Sequence, residues 1–180
     1  MNLLIISLLN GLLLAALGIA LLSGRPGVEH ALKAFPRSQT ATYILVALAT
    51  AWFLFHISRL GEADYGNFKQ YIGLGFFAIA VLGVLYVPDF LGVRALAALF
   101  LLVADLNLRT AYMQWEVPQR LVLVTWTYVL IVLALYLAIS PFRVRDALHW
   151  LYDKTARPKI FGIGLSGFGL LLALIGFTMW

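Results

Sequence analysis

A run of apolar residues about as long as a bilayer is thick recurs six times in this chain, and that feature restricts its fold more than any other. The first, "LLIISLLNGLLLAALGIALL", reaches from Leu3 to Leu22 without a charge. A helix needs about 20 such residues to cross the hydrocarbon core. The strands of a membrane barrel would instead alternate apolar and polar residues over segments of about ten, so the spanning elements must be helices, which satisfy their own backbone hydrogen bonds in lipid. The expected fold is therefore all-α: a polytopic integral membrane bundle with spans at 2–22, 40–58, 68–87, 90–107, 121–140 and 160–180. The fourth run is the weakest, because its uncharged centre, Ala95 to Ala104, is bounded by Arg94 and Asp105.

Hydrophobic residues make up 63% of the 180 positions and charged ones 12%, against about 45–50% and about 25% in soluble domains. Little is left for a water-soluble unit, and residues 1–180 read as a single transmembrane domain. No basic residue precedes the first run, and no small-residue cleavage motif follows it in a polar setting. It is accordingly expected to be a retained span. With no cysteine, disulfides, thiolate metal sites and cysteine nucleophiles are excluded.

The net charge of +5 is first a statement about topology. The first-to-second, third-to-fourth and fifth-to-sixth connections hold Arg25, Lys33, Arg37, Arg94, Arg143, Arg145, Lys154, Arg157 and Lys159, whereas the others hold only Arg59, Lys69, Arg109 and Arg120. Nine against four places the first group in the cytoplasm and both termini outside, in a bacterial-type inner membrane. Loss of the fourth span would move the C-terminus inside. Trp52, Trp115, Trp150 and Trp180 fall near span ends or connections, as an aromatic belt would, and Trp126 does not.

Two cytoplasmic connections carry their own helical pattern. In "RPGVEHALKAFPR", Val28, Ala31, Leu32 and Phe35 share one face, with Pro26 to start the helix and Pro36 to stop it. In "FRVRDALHWLYDKTARPK", Val144, Ala147, Leu148 and Leu151 repeat that spacing before Pro158. Both are expected to be short interfacial amphipathic helices. Arg143, Arg145, His149, Trp150 and Lys154 are the lipid-interface residues of the second, facing anionic headgroups. Each contains V-x-x-A-L, a weak hint of duplicated hairpins. In "YVPDFL", Val87 and Pro88 end one span and Asp89 is placed to cap the next, making a tight hairpin.

"GIGLSG", from Gly162 to Gly167, matches the G-x-G-x-x-G of dinucleotide sites. That motif requires a preceding strand and an acidic residue some twenty positions on. A proline and a lysine precede it here, and no acidic residue follows. The fingerprint fails, and no cofactor is expected. Gly162, Ser166, Gly169, Ala173 and Gly176 instead form a small-residue stripe along one helical face, the pattern that lets two backbones approach closely in lipid. Ser7, Gly11, Ala15 and Gly18 make a similar stripe on the first span, with Asn10 beside it as an interhelical hydrogen bonder. The two stripes suit each other, or another subunit.

Ionisable residues inside a span are costly and so are candidates for function. Asp105 and Arg109, four apart, can pair, with Asn107 between them. Either they lie at the outer interface, or the helix shifts toward Trp115 and buries them as a proton- or ion-coupling pair, or they join one subunit to another. His56 has no second histidine at similar depth for haem, and Asp146 with His149 could form an acid/base pair at the lipid surface. Thr125, Thr127 and Tyr128 could line a polar path, although back-bonding to their own helix is the simpler role. Glu62, Asp64 and Tyr65 offer too few ligands for calcium.

The expected function is a non-enzymatic accessory, assembly or scaffold subunit of a larger membrane complex. Its expected partners are lipid and other membrane subunits or itself, with no nucleic acid. A small oligomeric transporter using Asp105, Arg109 and Thr125 competes with it, but every proline lies at a helix end rather than breaking a span at the midplane. A lipid-acting enzyme using Asp146 and His149 is the third alternative.

Overall fold

The computed structural model describes residues 3–87 and 89–178. Among them there is no strand. Eight α-helices follow in order: α1 (Leu3–Leu22), α2 (Pro26–Ala34), α3 (Gln39–Ser58), α4 (Lys69–Tyr86), α5 (Leu91–Ala111), α6 (Arg120–Ile139), α7 (Phe142–Tyr152) and α8 (Ala156–Phe177). All but α2 and α7 are long and apolar enough to cross a membrane. Asn2, Pro88 and Trp180, which the sequence assigns to span ends and an aromatic belt, lie outside the described residues.

Local chemistry sets the boundaries. Ser38 caps α3 by accepting the Ala41 N–H at 3.3 Å. Pro26 opens α2, and Phe35–Arg37 tighten into a 3-10 turn at its end. α8 begins at Ala156, four residues earlier than the expected span, because Pro158 falls in the first turn, where its missing N–H costs nothing. α5 runs on past Asn107 to Ala111, its last turns braced by Arg109 reaching back to Asp105 and by the Thr110 hydroxyl on the Leu106 carbonyl. Asp89 does not cap α5. The cap position is Phe90, whose φ of 54° reverses the chain in the left-handed region, with no side-chain cap bond.

α1 lies along α8 in the most extensive helix pairing, and α5 packs between α3 and α6. α4 leans chiefly on α3, so α4, α3, α5 and α6 form a row, with the α1–α8 pair against its α5 and α6 helices. Two apolar clusters lie at opposite ends of the α5–α6 pair along its length: Leu3, Ile6, Ala111 and Leu123, which bring in α1, at one, and Val93, Ala97, Ala134 and Leu137 at the other. Near the second, α2 and α7 pack on each other, with the Lys33 ammonium 5.4 Å from the centre of the Tyr152 ring. This amphipathic end gathers nine basic against four acidic residues, while the opposite end balances four against four.

Candidate functional site

The α1–α8 seam is built from glycine. A Cβ added at Gly11 would lie 2.5 Å from the Gly169 carbonyl oxygen and 2.7 Å from the Ala173 nitrogen. One at Gly169 would meet the Ala15 nitrogen and the Gly11 carbonyl, both at 2.6 Å. Gly18 faces Ser166 and Gly162, Gly162 faces Gly18 and Leu22, and Gly176 faces Ser7. Backbone touches backbone along the whole seam, which maximises dispersion contact where lipid supplies no hydrophobic drive. Gly164 and Gly167, the other glycines of the G-x-G-x-x-G, have nothing within 4 Å of an added Cβ.

Inside the seam the Ser166 hydroxyl has no hydrogen-bond partner among the described residues. Its Cβ is already accommodated, so Ser166→Ala removes an orphan and opens no more space than one hydroxyl oxygen. We expect that variant to melt at an equal or higher temperature in detergent, with a gain of up to about 1 kcal/mol.

A polar junction ties the α1–α8 pair to the row. The Asn10 and Asn107 side-chain amides face each other: Asn10 Nδ2 donates to Asn107 Oδ1 at 3.0 Å, and Asn107 Nδ2 returns a bond to Asn10 Oδ1 at 3.3 Å. Asn107 Nδ2 also donates to Thr127 Oγ1 at 3.1 Å, and the Trp126 indole N–H donates to Asn10 Oδ1 at 3.3 Å. Remaining capacity is used on the backbone, Asn10 giving to the Ile6 carbonyl at 2.9 Å and Thr127 to the Leu123 carbonyl at 2.7 Å. Asn10, Asn107 and Thr127 are all buried. With 1.5 Å per residue, Asn10 and Thr127 sit about 10 Å in from the ends of their helices. Amides joined in this way cross-link helices, and none of the three is left free to carry an ion.

Asp105 and Arg109 form a bidentate pair, Arg109 Nε donating to both carboxylate oxygens at 2.8 Å. The Arg109 side chain is 72% exposed on the bundle's outside, so the pair is not a buried coupling site. The Trp52 indole donates to His56 Nε2 at 3.0 Å. The Thr125 hydroxyl returns to the Leu121 carbonyl at 2.8 Å.

At the amphipathic end the structure does not join Asp146 to His149. Asp146 is bound by Arg145 at 2.9 Å, and His149 is exposed. Arg157 stacks 4.3 Å from the centre of the Trp150 ring and donates to the Trp150 carbonyl at 2.6 Å, closing the end of α7. Arg143 lies over the Phe142 ring at 5.6 Å, and Lys154 is exposed. Lys33 pairs with Glu29 at 2.6 Å. Burial, and then the Glu29 charge, push the Tyr152 phenol above its usual range, partly opposed by Lys33.

The sequence marked Asn10 as a hydrogen bonder, and Asn107 only by its place between Asp105 and Arg109. The role of Trp126 was missed. Its signal was available: it is the tryptophan away from any span end, and an indole in a span needs a polar partner. No group of three or more histidine or acidic side chains able to hold a metal occurs among the described residues.

Comparison of the chain with family models, with curated proteins and with solved structures finds no match to any of them.

Proposed function

We propose that this chain is a non-catalytic multi-pass membrane protein acting as an accessory, assembly or scaffold subunit of a larger membrane complex. The observation that carries this reading is α4. It is apolar on all sides, buries no residue against the rest of the chain, and rests mainly on α3. A helix hydrophobic all round belongs in lipid or against another protein. The small-residue stripes are consumed by each other within the chain. The outer faces of α1, α6 and α8 also expose large apolar side chains, but α4 alone of the six long helices has no buried residue, which makes it and the adjoining side of α3 the surface we assign to a partner subunit. The polar residues at the junction bond to one another, which leaves transport without a polar path there.

The charge asymmetry supports an inner-membrane orientation with the α2–α7 end in the cytoplasm, against anionic headgroups, and both termini on the other side. The test is native mass spectrometry of the tagged full chain, extracted from its own membranes in mild detergent. The expected result is a stoichiometric complex with other membrane subunits, released by Leu74→Arg or Ile79→Arg on α4. A bare homo-oligomer, unaffected by those changes, would contradict the accessory role and favour transport.

A further inference from the structure

α3 and α4 touch at Phe53 and Phe76, ring centroids 4.8 Å apart, and then leave an apolar cleft of about 440 Å³ between them. The cleft exists because the facing side chains are short: Ala47, Thr50 and Ala51 on α3, and Ala80 on α4. At the amphipathic end it shares Tyr43 and Val84 with a second cavity, of about 410 Å³, lined by Arg37, Gln39, Thr42 and Asp89. Arg37 and Asp89 are exposed, and neither has an ion pair among the described residues. Adjoining at Tyr43 and Val84, the cleft and the cavity together form a hollow with a cation and an anion at its mouth and hydrocarbon along its floor.

We propose that this hollow binds one phospholipid with a zwitterionic, primary-amine headgroup. The Arg37 guanidinium takes the phosphate, for which its planar fork is suited. The Asp89 carboxylate accepts from the ammonium, and an acyl chain lies between α3 and α4. Length accommodates this occupant. From Tyr43 to Leu54 the cleft runs about 16 Å at 1.5 Å per residue, room for an acyl chain of one leaflet, half of a core about 30 Å thick. A further hollow of about 450 Å³ adjoins it at Leu54 and Phe77 toward Ser58 and Lys69. The headgroup is selected by both charges. An amine-free anionic lipid such as phosphatidylglycerol places a hydroxyl against Asp89 with no cation to offer, a serine headgroup adds a second carboxylate beside Asp89, and a quaternary ammonium has no N–H to donate. The site rests on the chain lying in a bilayer but not on its having a partner subunit.

The test is native mass spectrometry of the delipidated full chain in a sugar detergent. The probes are dioleoyl phosphatidylethanolamine, phosphatidylcholine and phosphatidylglycerol, and glycerophosphoethanolamine as the headgroup alone. One phosphatidylethanolamine per chain is expected, held about tenfold more tightly than the other lipids, the worth of one charge-assisted hydrogen bond. Arg37→Gln should weaken it about tenfold. Asp89→Asn should abolish the preference over phosphatidylcholine. Ala51 is exposed, so Ala51→Leu fills the cleft without invading a packed core, and should lower binding while the melting temperature holds. Equal retention of all three lipids by wild-type and Ala51→Leu protein would overturn the site, as would headgroup-only binding as tight as the lipid's. Neither result alters what co-purifies from native membranes, so the site and the accessory role fail separately.

Discussion

Alanine at Gly169 or Gly11 is expected to unfold or strongly destabilise the bundle, whereas alanine at Gly164 or Gly167, in the same short stretch of α8, is expected to leave it intact. At the first pair the new methyl carbon meets backbone atoms 2.5–2.7 Å away, which cannot rotate aside. Overpacking of this kind costs about 1–3 kcal/mol in well-packed cores, and more where backbone must shift. At Gly164 and Gly167 the methyl meets open space, and the helix gains up to about 1 kcal/mol of propensity. Thermal unfolding in detergent, followed by circular dichroism, separates the two classes. Equal sensitivity at all four positions would mean that the seam is not where α1 meets α8.

Asn107→Leu should be the most damaging change at the polar junction. It preserves approximate volume but takes the Asn107 bonds from the Asn10 amide, which keeps Ile6 and Trp126, and from the Thr127 hydroxyl, which keeps Leu123. A buried polar group stripped of its bond costs about 1–3 kcal/mol. Asn10→Leu should do similar harm through Asn107 and Trp126. The double variant should lose less than the sum of the two, since no orphaned amide remains, and the coupling should fall near the 0.6–1.7 kcal/mol, roughly, found for hydrogen bonds between membrane helices. Strict additivity of the singles would show that the two amides do not engage each other. Asp105→Asn, by contrast, breaks only an exposed pair and should leave folding unchanged. If it instead abolished a measurable flux while the fold stayed intact, transport would replace the accessory reading.

The six long apolar helices and both short amphipathic ones were legible because each rests on a local signal, either a run of apolar residues or a period of 3.6. The α1–α8 stripes were legible for a related reason: spacings of three and four keep Gly162, Ser166, Gly169, Ala173 and Gly176 on one face whatever that face meets. What the face meets is not a local property. Nothing near Gly11 in sequence says that its neighbour is Gly169 rather than a second chain. The same limit hid the junction, since Asn10 and Asn107 are 97 residues apart and Trp126 a further element away. Asp89 was misplaced as a cap by one residue. A favourable cap type at the right distance from an apolar run carries no information about the left-handed turn at Phe90 that starts the helix instead. The cleft between α3 and α4 has no sequence signature at all, because Ala47, Ala51 and Ala80 mean nothing as a set until the two helices are side by side.

Whether α1 and α8 of one chain close on each other decides how much surface is left for anything else. The most direct measurement is oxidative cross-linking of Ser7→Cys/Gly176→Cys in native membranes. The chain has no cysteine of its own, and a Cβ at 176 lies 3.1 Å from that of Ser7, near the spacing of about 3.5–4.5 Å that a disulfide adopts. A link within one chain, seen as a faster-migrating monomer that reverts on reduction, is the expected result. Covalent dimers joined through those two positions would contradict it, turning the seam into a subunit interface and leaving the outer surface of α4 without its special status.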